Sequence, residues 1–139
     1  MKIAVLGYGT VGSGVVEVLD VNQKLIASRA KEEIEVKYVL DLRDFPGDKI
    51  QEKIVHDYEI ILNDPEIGIV VEVMGGVEPA NTFVRKALEA GKSVVTSNKA
   101  LVAKHGSALL KTAREKNVNF LFEASVGGGI PILRHLDHP

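Results

Sequence analysis

The chain of 139 residues contains no cysteine. Disulfide bonds, thiolate nucleophiles and zinc sites built on cysteine are therefore excluded, and the absence mildly favours a reducing compartment. The first apolar stretch ends at Gly7, far short of a signal-peptide core or a membrane span. We therefore expect a soluble, cytoplasmic protein without a membrane partner.

A strong charge of either sign is also missing. The formal net charge is −2, with 26% charged and 45% hydrophobic residues, which are ordinary values for a globular protein. Because no basic surface is available to hold nucleic acid, we do not expect nucleic acid as a partner. The length suffices for one substantial core and is too short for two ordinary domains, so residues 1–139 are predicted to form a single domain.

Glycine, by contrast, is plentiful, and three glycines near the N-terminus have the spacing of a known nucleotide-binding pattern. The run from Ile3 to Leu6 predicts a buried strand, and the apolar spacing after Gly12 predicts a helix. Gly7, Gly9 and Gly12 form a G-x-G-x-x-G pattern between the two. In that context Gly7 makes the turn, Gly9 lets the backbone approach a pyrophosphate, and Gly12 lets the helix pack closely on the strand. The helix N-terminus attracts anions, so a dinucleotide site is predicted; a purely structural glycine turn is the alternative.

The second predicted strand, residues 33–40, is followed by an acid, Asp41. In a dinucleotide-binding fold, the acid at this place accepts hydrogen bonds from the adenosine ribose; a solvated acid in a turn is the alternative. A 2′-phosphate about 4 Å from a carboxylate would be repelled by about 4 kcal/mol per unit charge at an effective dielectric of 20. That repulsion slightly favours NAD over NADP, although Arg43 could pair bidentately with the same phosphate.

Two further predicted strands bring candidate residues to the same edge of the sheet. The nearly continuous apolar run of residues 67–73 is typical of a parallel strand covered on both faces, and Gly75 and Gly76 follow it. Their bare backbone could approach a cofactor ribose, or they could serve only a sharp turn. Lys99 follows the next predicted strand, residues 93–96, and taken alone is more typical of a solvated charge.

The rest of the chain continues the alternation of strands and helices. His56 is predicted to be a loop histidine for which no motif supplies a partner carboxylate. The remaining predictions are a surface loop at 45–53, a short helix at 58–62, helices through 83–88 and 108–113, and a strand at 118–122. This order predicts an α/β fold with a doubly wound (Rossmann-like), mainly parallel sheet and helices on both faces.

Four motifs, in order along nearly the whole chain, carry a resemblance to one family. They read G-Y-G-T-V-G-S-G, V-V-E-V-M-G-G-V-E-P-A, V-V-T-S-N-K-A-L-V-A-K-H-G and F-E-A-S-V-G-G-G-I-P-I. Together they resemble the N-terminal nucleotide-binding domain of homoserine dehydrogenase. The resemblance implies an oxidoreductase that interconverts L-aspartate 4-semialdehyde and L-homoserine with NAD or NADP, on the way to threonine, methionine and isoleucine.

The resemblance also implies roles for individual residues. It implies that Tyr8, Thr10 and Val11 line the pyrophosphate loop and that Gly75, Ser97 and Lys99 face the nicotinamide. Lys99 thereby becomes the candidate catalytic residue, because a cation between substrate and nicotinamide could order both and polarise an oxygen. It further implies a sodium ion held by Glu123 and by the backbone carbonyls of Val126, Gly128 and Ile130. Oxygen ligands suit such a hard cation, and a salt-bridged Glu123 without an ion is the alternative.

One departure from the family pattern limits these expectations. In the family the chain continues into a second domain that supplies the carboxylates for homoserine, the proton-transferring lysine and the main dimer contact, whereas this sequence stops at Pro139. We therefore expect the cofactor-binding portion of a homo-oligomeric enzyme with a small amino-acid substrate, binding cofactor without turnover. A free-standing regulatory nucleotide-binding module is the alternative. The family also often has arginine just after the second strand, where this chain has Asp41, Leu42 and Arg43.

Overall fold

The computed structural model describes residues 1–17 and 34–123. The strands are β1 (Lys2–Leu6), β2 (Glu35–Leu40), β3 (Ile54–Val55), β4 (Ile67–Glu72), β5 (Ser93–Thr96) and β6 (Phe120–Phe122). The helices are α1 (described over residues 10–17), α2 (Tyr58–Leu62), α3 (Ala80–Glu89) and α4 (Lys99–Glu115), with a 3₁₀ helix at Lys49–Lys53. Within the described ranges, no helix has the length and apolar character needed to span a bilayer.

The strands form one parallel sheet in the order β3-β2-β1-β4-β5-β6. The chain begins in the middle of the sheet, builds outward through β2 and β3, and returns to the other side of β1 for β4, β5 and β6. This arrangement is the doubly wound fold predicted from the alternation of strands and helices. It leaves a crevice at the carboxyl ends of β1 and β4, where the direction of building reverses.

Alternate residues of the central strands enter two separate cores. Ala4 and Leu6 of β1 pack into a cluster that also contains residues of α2, α3 and α4. Ile3 and Val5 pack into a second cluster that contains Val15 and other residues on the opposite face. These four β1 residues are fully buried, as an apolar run predicts for a strand covered on both sides.

Two elements differ from the sequence-based prediction, and two strands differ from it by more than one residue. The predicted loop at 45–53 contains the 3₁₀ helix, which begins with the Asp48 carboxylate accepting the Ile50 N–H at 2.9 Å. The two-residue strand β3 pairs with β2 and is too short to leave a periodic pattern. β2 and β6 each begin two residues later than predicted. For β6 the reason is that the Val118 N–H donates to the Ala113 carbonyl at 3.0 Å and so closes α4.

Candidate functional site

A cavity of about 560 Å³ lies at the carboxyl edge of the sheet, where β1 and β4 end. Its walls include the glycine turn after β1, the Asp41 to Arg43 segment after β2, and residues of α2 and α3. The volume falls within the range of about 300–1,000 Å³ that is typical of small-molecule sites. An open parallel sheet places its ligands at such a crevice.

The glycine turn brings α1 into direct contact with the end of β1. A Cβ atom on Gly12 would lie 2.0 Å from the Gly7 carbonyl oxygen, so no other residue fits there without moving the helix. Gly7 makes the turn itself, with φ of +101°. A Cβ on Gly9, by contrast, would meet nothing within 4 Å, because open space lies beside this residue. The turn therefore combines a tightly packed glycine with one that leaves room for a ligand.

We expect Gly12→Ala to destabilise the protein, since its methyl group would overlap backbone that cannot move aside without displacing α1. Gly14→Ala is the matched control, because a Cβ on Gly14 meets nothing within 4 Å on the same helix. Replacing glycine by alanine within a helix should raise the free energy of unfolding by up to about 1 kcal/mol. Urea unfolding of both variants measures the difference. Equal stability of the two variants would contradict the close packing at Gly12.

The Asp41 carboxylate lies at this edge of the sheet and accepts hydrogen bonds from four N–H groups. Oδ2 accepts the Tyr8 backbone N–H at 3.0 Å and an Arg43 guanidinium N–H at 3.0 Å. Oδ1 accepts the Arg43 Nε–H at 3.0 Å and the Arg43 backbone N–H at 2.9 Å. The bonds from the Arg43 side chain, assisted by the backbone N–H groups, lower the pKa of Asp41 from 3.8 to about 2. Ionised Asp41 therefore stabilises the fold above about pH 4, and this contribution is lost as the pH falls toward 2.

The two partners of this ion pair differ in exposure. The Asp41 side chain is only 9% exposed, whereas the Arg43 side chain is 63% exposed. Arg43 also lies 5.2 Å from the centre of the Phe45 ring, measured from the guanidinium carbon. The carboxylate thus has a fixed position in the wall of the cavity, and the guanidinium covers it from the solvent side.

The cavity also has an apolar lining, which includes an aromatic pair. The rings of Tyr58 in α2 and Phe83 in α3 have centroids 4.4 Å apart, and the Tyr58 hydroxyl donates to the Phe83 carbonyl at 2.7 Å. Burial raises the pKa of Tyr58. Pro79, Met74 and Leu42 complete this apolar side. Such a surface suits a flat ring, and no pattern in the sequence predicted it.

His56 also borders the cavity, and both of its ring nitrogens contact oxygen atoms. As predicted, it is an exposed residue outside the helices and strands. No motif indicated a partner carboxylate, and the structure supplies one, because Nε2 lies 2.9 Å from Asp44 Oδ1. Nδ1 lies 2.7 Å from the Asp41 carbonyl oxygen. The carbonyl contact, followed by the Asp44 contact, raises the pKa of His56.

The remaining predicted site residues lie along the same edge but outside this cavity. They are Thr10, Val11, Gly12, Gly75, Gly76, Ser97 and Lys99. Gly75 and Gly76 have φ of +78° and +73°, so the sharp turn by itself accounts for both glycines. Lys99 is the first residue of α4, is exposed, and has no ion-pair partner among the described residues.

Only one member of the predicted sodium site can be located. Glu123 follows β6, and its N–H donates to the Thr96 carbonyl at 2.9 Å. Val126, Gly128 and Ile130 lie outside the described residues. Across residues 1–17 and 34–123, no group of three or more His, Asp or Glu side chains is arranged to hold a metal ion.

Comparison with known proteins identifies the family. The model of the homoserine dehydrogenase NAD-binding domain matches residues 7–123, from the first glycine of the turn to the residue after β6. The chain belongs to the homoserine dehydrogenase family. Homoserine dehydrogenase of Lactococcus lactis is 44% identical over 98% of this chain, which spans 33% of that relative. The family consists of NAD(P)-dependent oxidoreductases, and this chain corresponds to about a third of the length of its curated relatives.

Solved homoserine dehydrogenase structures agree with this assignment. The Staphylococcus aureus enzyme superposes with a TM-score of 0.83 and 41% identity, over 90% of this chain and 32% of its own. A mutant enzyme from a hyperthermophilic archaeon, solved in complex with NADPH, has a TM-score of 0.65 and 26% identity, over 90% of this chain and 44% of its own. The fold and the family assignment thus rest on both sequence and structure.

Proposed function

We propose that the crevice binds a nicotinamide dinucleotide as the cofactor-binding portion of a homoserine dehydrogenase. The reaction of that enzyme is the interconversion of L-aspartate 4-semialdehyde and L-homoserine with NAD(P)H. The observation that carries the proposal is the open space beside Gly9, directly before the N-terminus of α1. A helix N-terminus leaves its first N–H groups without helical partners, and these N–H groups attract a pyrophosphate.

The neighbouring groups suit the adenosine half of the same ligand. Asp41 lies against the turn through its bond to the Tyr8 N–H, at the place where a ribose joined to the pyrophosphate would lie. The apolar wall with Phe83 and Pro79 suits the flat adenine ring. The dinucleotide would then continue past Gly75 toward Ser97 and Lys99, so that its nicotinamide half lies over the ends of β4 and β5.

Gly9→Val tests this placement of the pyrophosphate. We expect the variant to stay folded, because the space beside Gly9 is open, and to bind NADH at least about tenfold more weakly, which corresponds to 1.4 kcal/mol of lost binding. Calorimetric titration gives the affinities. Gly68→Val is the matched control, since Gly68 lies near the amino end of β4 and a Cβ there meets only Met1 Cγ, at 3.9 Å. Unchanged affinity in Gly9→Val, or an equal loss in both variants, would argue against the proposed pose.

Cofactor preference depends on how Asp41 and Arg43 share their hydrogen bonds. An ionised carboxylate offers about four acceptor positions, and N–H groups of Tyr8 and Arg43 already engage all four. We propose that a ribose diol must displace the Arg43 side chain to reach Asp41. A 2′-phosphate would instead attract that guanidinium and be repelled by the carboxylate. The chain should therefore accept both cofactors, with NAD slightly preferred.

We expect Arg43→Met to shift the ratio of affinities toward NAD by about tenfold, because the competitor for Asp41 and the partner for the 2′-phosphate are both removed. Titration with NAD and NADP, which differ only in that phosphate, measures the ratio. Arg114→Met, in the last turn of α4, is the matched control and should leave it unchanged. A ratio that stays constant in Arg43→Met would show that Arg43 does not influence the choice.

Lys99 and Glu123 carry the proposed roles at the nicotinamide end. We propose that the exposed Lys99 ammonium helps to order the substrate beside the nicotinamide, and that Glu123 contributes to a sodium site together with the carbonyls of residues 126, 128 and 130. We propose that Lys99 and its neighbours alone do not suffice to bind homoserine and to remove its hydroxyl proton. Residues 1–139 should therefore bind cofactor without oxidising homoserine.

Incubation of the purified chain with NAD and homoserine tests the last point. We expect no formation of reduced cofactor, followed by its absorbance, although calorimetry on the same sample should register NADH binding. The binding measurement is the control that the protein is folded and competent. Reduction of NAD that depends on homoserine would contradict the proposal that proton transfer requires groups beyond these 139 residues.

A further inference from the structure

A buried carboxylate, Glu72, lies at the nicotinamide end of the crevice and has no role in the proposals above. We propose that Glu72 is a positioning residue that joins the loop after β4 to the start of α4, and thereby sets the positions of the nicotinamide ring and Lys99. The inference deepens the proposed function and rests on it, because it requires the nicotinamide to lie over these two strand ends.

Glu72 is the last residue of β4 and is 0% exposed. Its Oε1 accepts the Thr96 hydroxyl at 2.6 Å, and its Oε2 accepts the Met74 N–H at 2.8 Å. The Asn98 side-chain amide approaches Oε2 at 3.5 Å. One carboxylate therefore contacts the loop that leads to Gly75 and also the segment that leads to Lys99.

Asn98 extends this network in both directions. Its amide donates to the Gly76 carbonyl at 2.5 Å, and its Oδ1 accepts the Leu101 N–H at 3.1 Å and so caps α4. Its backbone N–H donates to the Thr96 hydroxyl oxygen at 3.0 Å. Asn98 is itself only 5% exposed. The network therefore sets both the course of the glycine loop and the residue at which α4 begins.

A carboxyl side chain is unusual at this place in the sheet. At the carboxyl edge of the sheet, Glu72 pairs with Leu6 on β1 and with Thr96 on β5. The same row of paired residues continues to Leu40 on β2 and to Phe122 on β6. Burying a carboxylate is costly unless donors satisfy it, and no Lys, Arg or His of the described residues pairs with Glu72. An apolar residue would pack in this row without that cost. The carboxylate is instead matched to donors that lie in the two loops.

The two loops need such a connection because their own side chains provide little constraint. Gly75 and Gly76 have no side chains to pack, and their backbone is the surface that would face the cofactor. Lys99 is exposed and makes no ion pair with another described residue, so the position of its ammonium group depends on the backbone at the start of α4. Weakening the network should therefore affect the nicotinamide half of the ligand and leave the adenosine half unchanged.

Two ligands separate these halves in a titration of the 139-residue chain. NADH reaches the nicotinamide end, whereas ADP-ribose contains the same adenosine, pyrophosphate and second ribose without the nicotinamide. We expect Glu72→Gln to weaken NADH binding by at least about fivefold while ADP-ribose binding stays within about twofold. Glutamine keeps the shape of the side chain. It replaces one of the two accepting oxygens with an N–H₂ group, which cannot accept a hydrogen bond from the Met74 N–H or the Thr96 hydroxyl.

Two substitutions at Thr96 provide an independent measurement if Glu72→Gln does not fold. Thr96→Val removes the hydroxyl that links Glu72 to Asn98 and should reproduce the selective loss of NADH affinity. Thr96→Ser keeps the hydroxyl and should retain the affinity of the unsubstituted chain. Rescue by serine distinguishes the hydrogen-bonded connection from the packing of the threonine methyl group.

Lys92→Met is the matched control for loss of buried polar contacts. The Lys92 ammonium donates to the carbonyls of Asp64 and Ile67, at 2.8 Å each, at the amino ends of β4 and β5. This variant should melt at a lower temperature and keep the ratio of NADH to ADP-ribose affinity unchanged. A changed ratio in this control, or an equal loss of both ligands in Glu72→Gln and Thr96→Val, would overturn the positioning role. Failure of the unsubstituted chain to bind either ligand would overturn the proposed function itself.

Discussion

The contact between Gly12 and the Gly7 carbonyl is the constraint on which the rest of the site depends. Because a side chain at Gly12 would overlap that oxygen, α1 can begin close against the end of β1 only with glycine at this position. The close start of α1 brings its N-terminus to the crevice. It also lets the Tyr8 N–H reach Asp41 at the end of the neighbouring strand. A small steric requirement in the turn thus aligns a helix end, a carboxylate and an open cavity on one edge of the sheet.

Two carboxylates on this edge have different environments, and the difference matches the parts that they are proposed to play. Asp41 is covered by the exposed Arg43 side chain, which is the partner that a ligand is proposed to displace. Glu72 is fully buried, and the donors that it has among the described residues are neutral groups of the fold itself. In solvent, an ion pair is weak and exchangeable, whereas a buried carboxylate must keep its donors. One acid therefore suits exchange with a ligand, and the other suits a fixed connection between loops.

Much of the fold followed from local patterns, because the central strands are long and apolar enough to be identified singly. β4 and β5 were predicted in this way, as was the glycine turn after β1. β3 was missed, since a strand of two residues is too short to show a periodic pattern. β6 was predicted too long, because the sequence does not show that the Val118 N–H is bonded to the end of α4. Tyr58 was missed as a site residue for a similar reason: only the packing of α2 against α3 brings its ring beside Phe83.

The sequence by itself determined the order of strands and helices, the glycine turn, and the acid after β2, because each depends on neighbours within a few residues. Motifs along the chain were also enough to identify the homoserine dehydrogenase family. Only the tertiary structure decided that the Tyr8 N–H reaches Asp41, that Asp44 pairs with His56, and that Glu72 bonds to Thr96 across two strands. These contacts depend on side-chain direction and on which strands become neighbours. Both follow from the packing of the whole sheet, because separation along the chain does not specify distance in space.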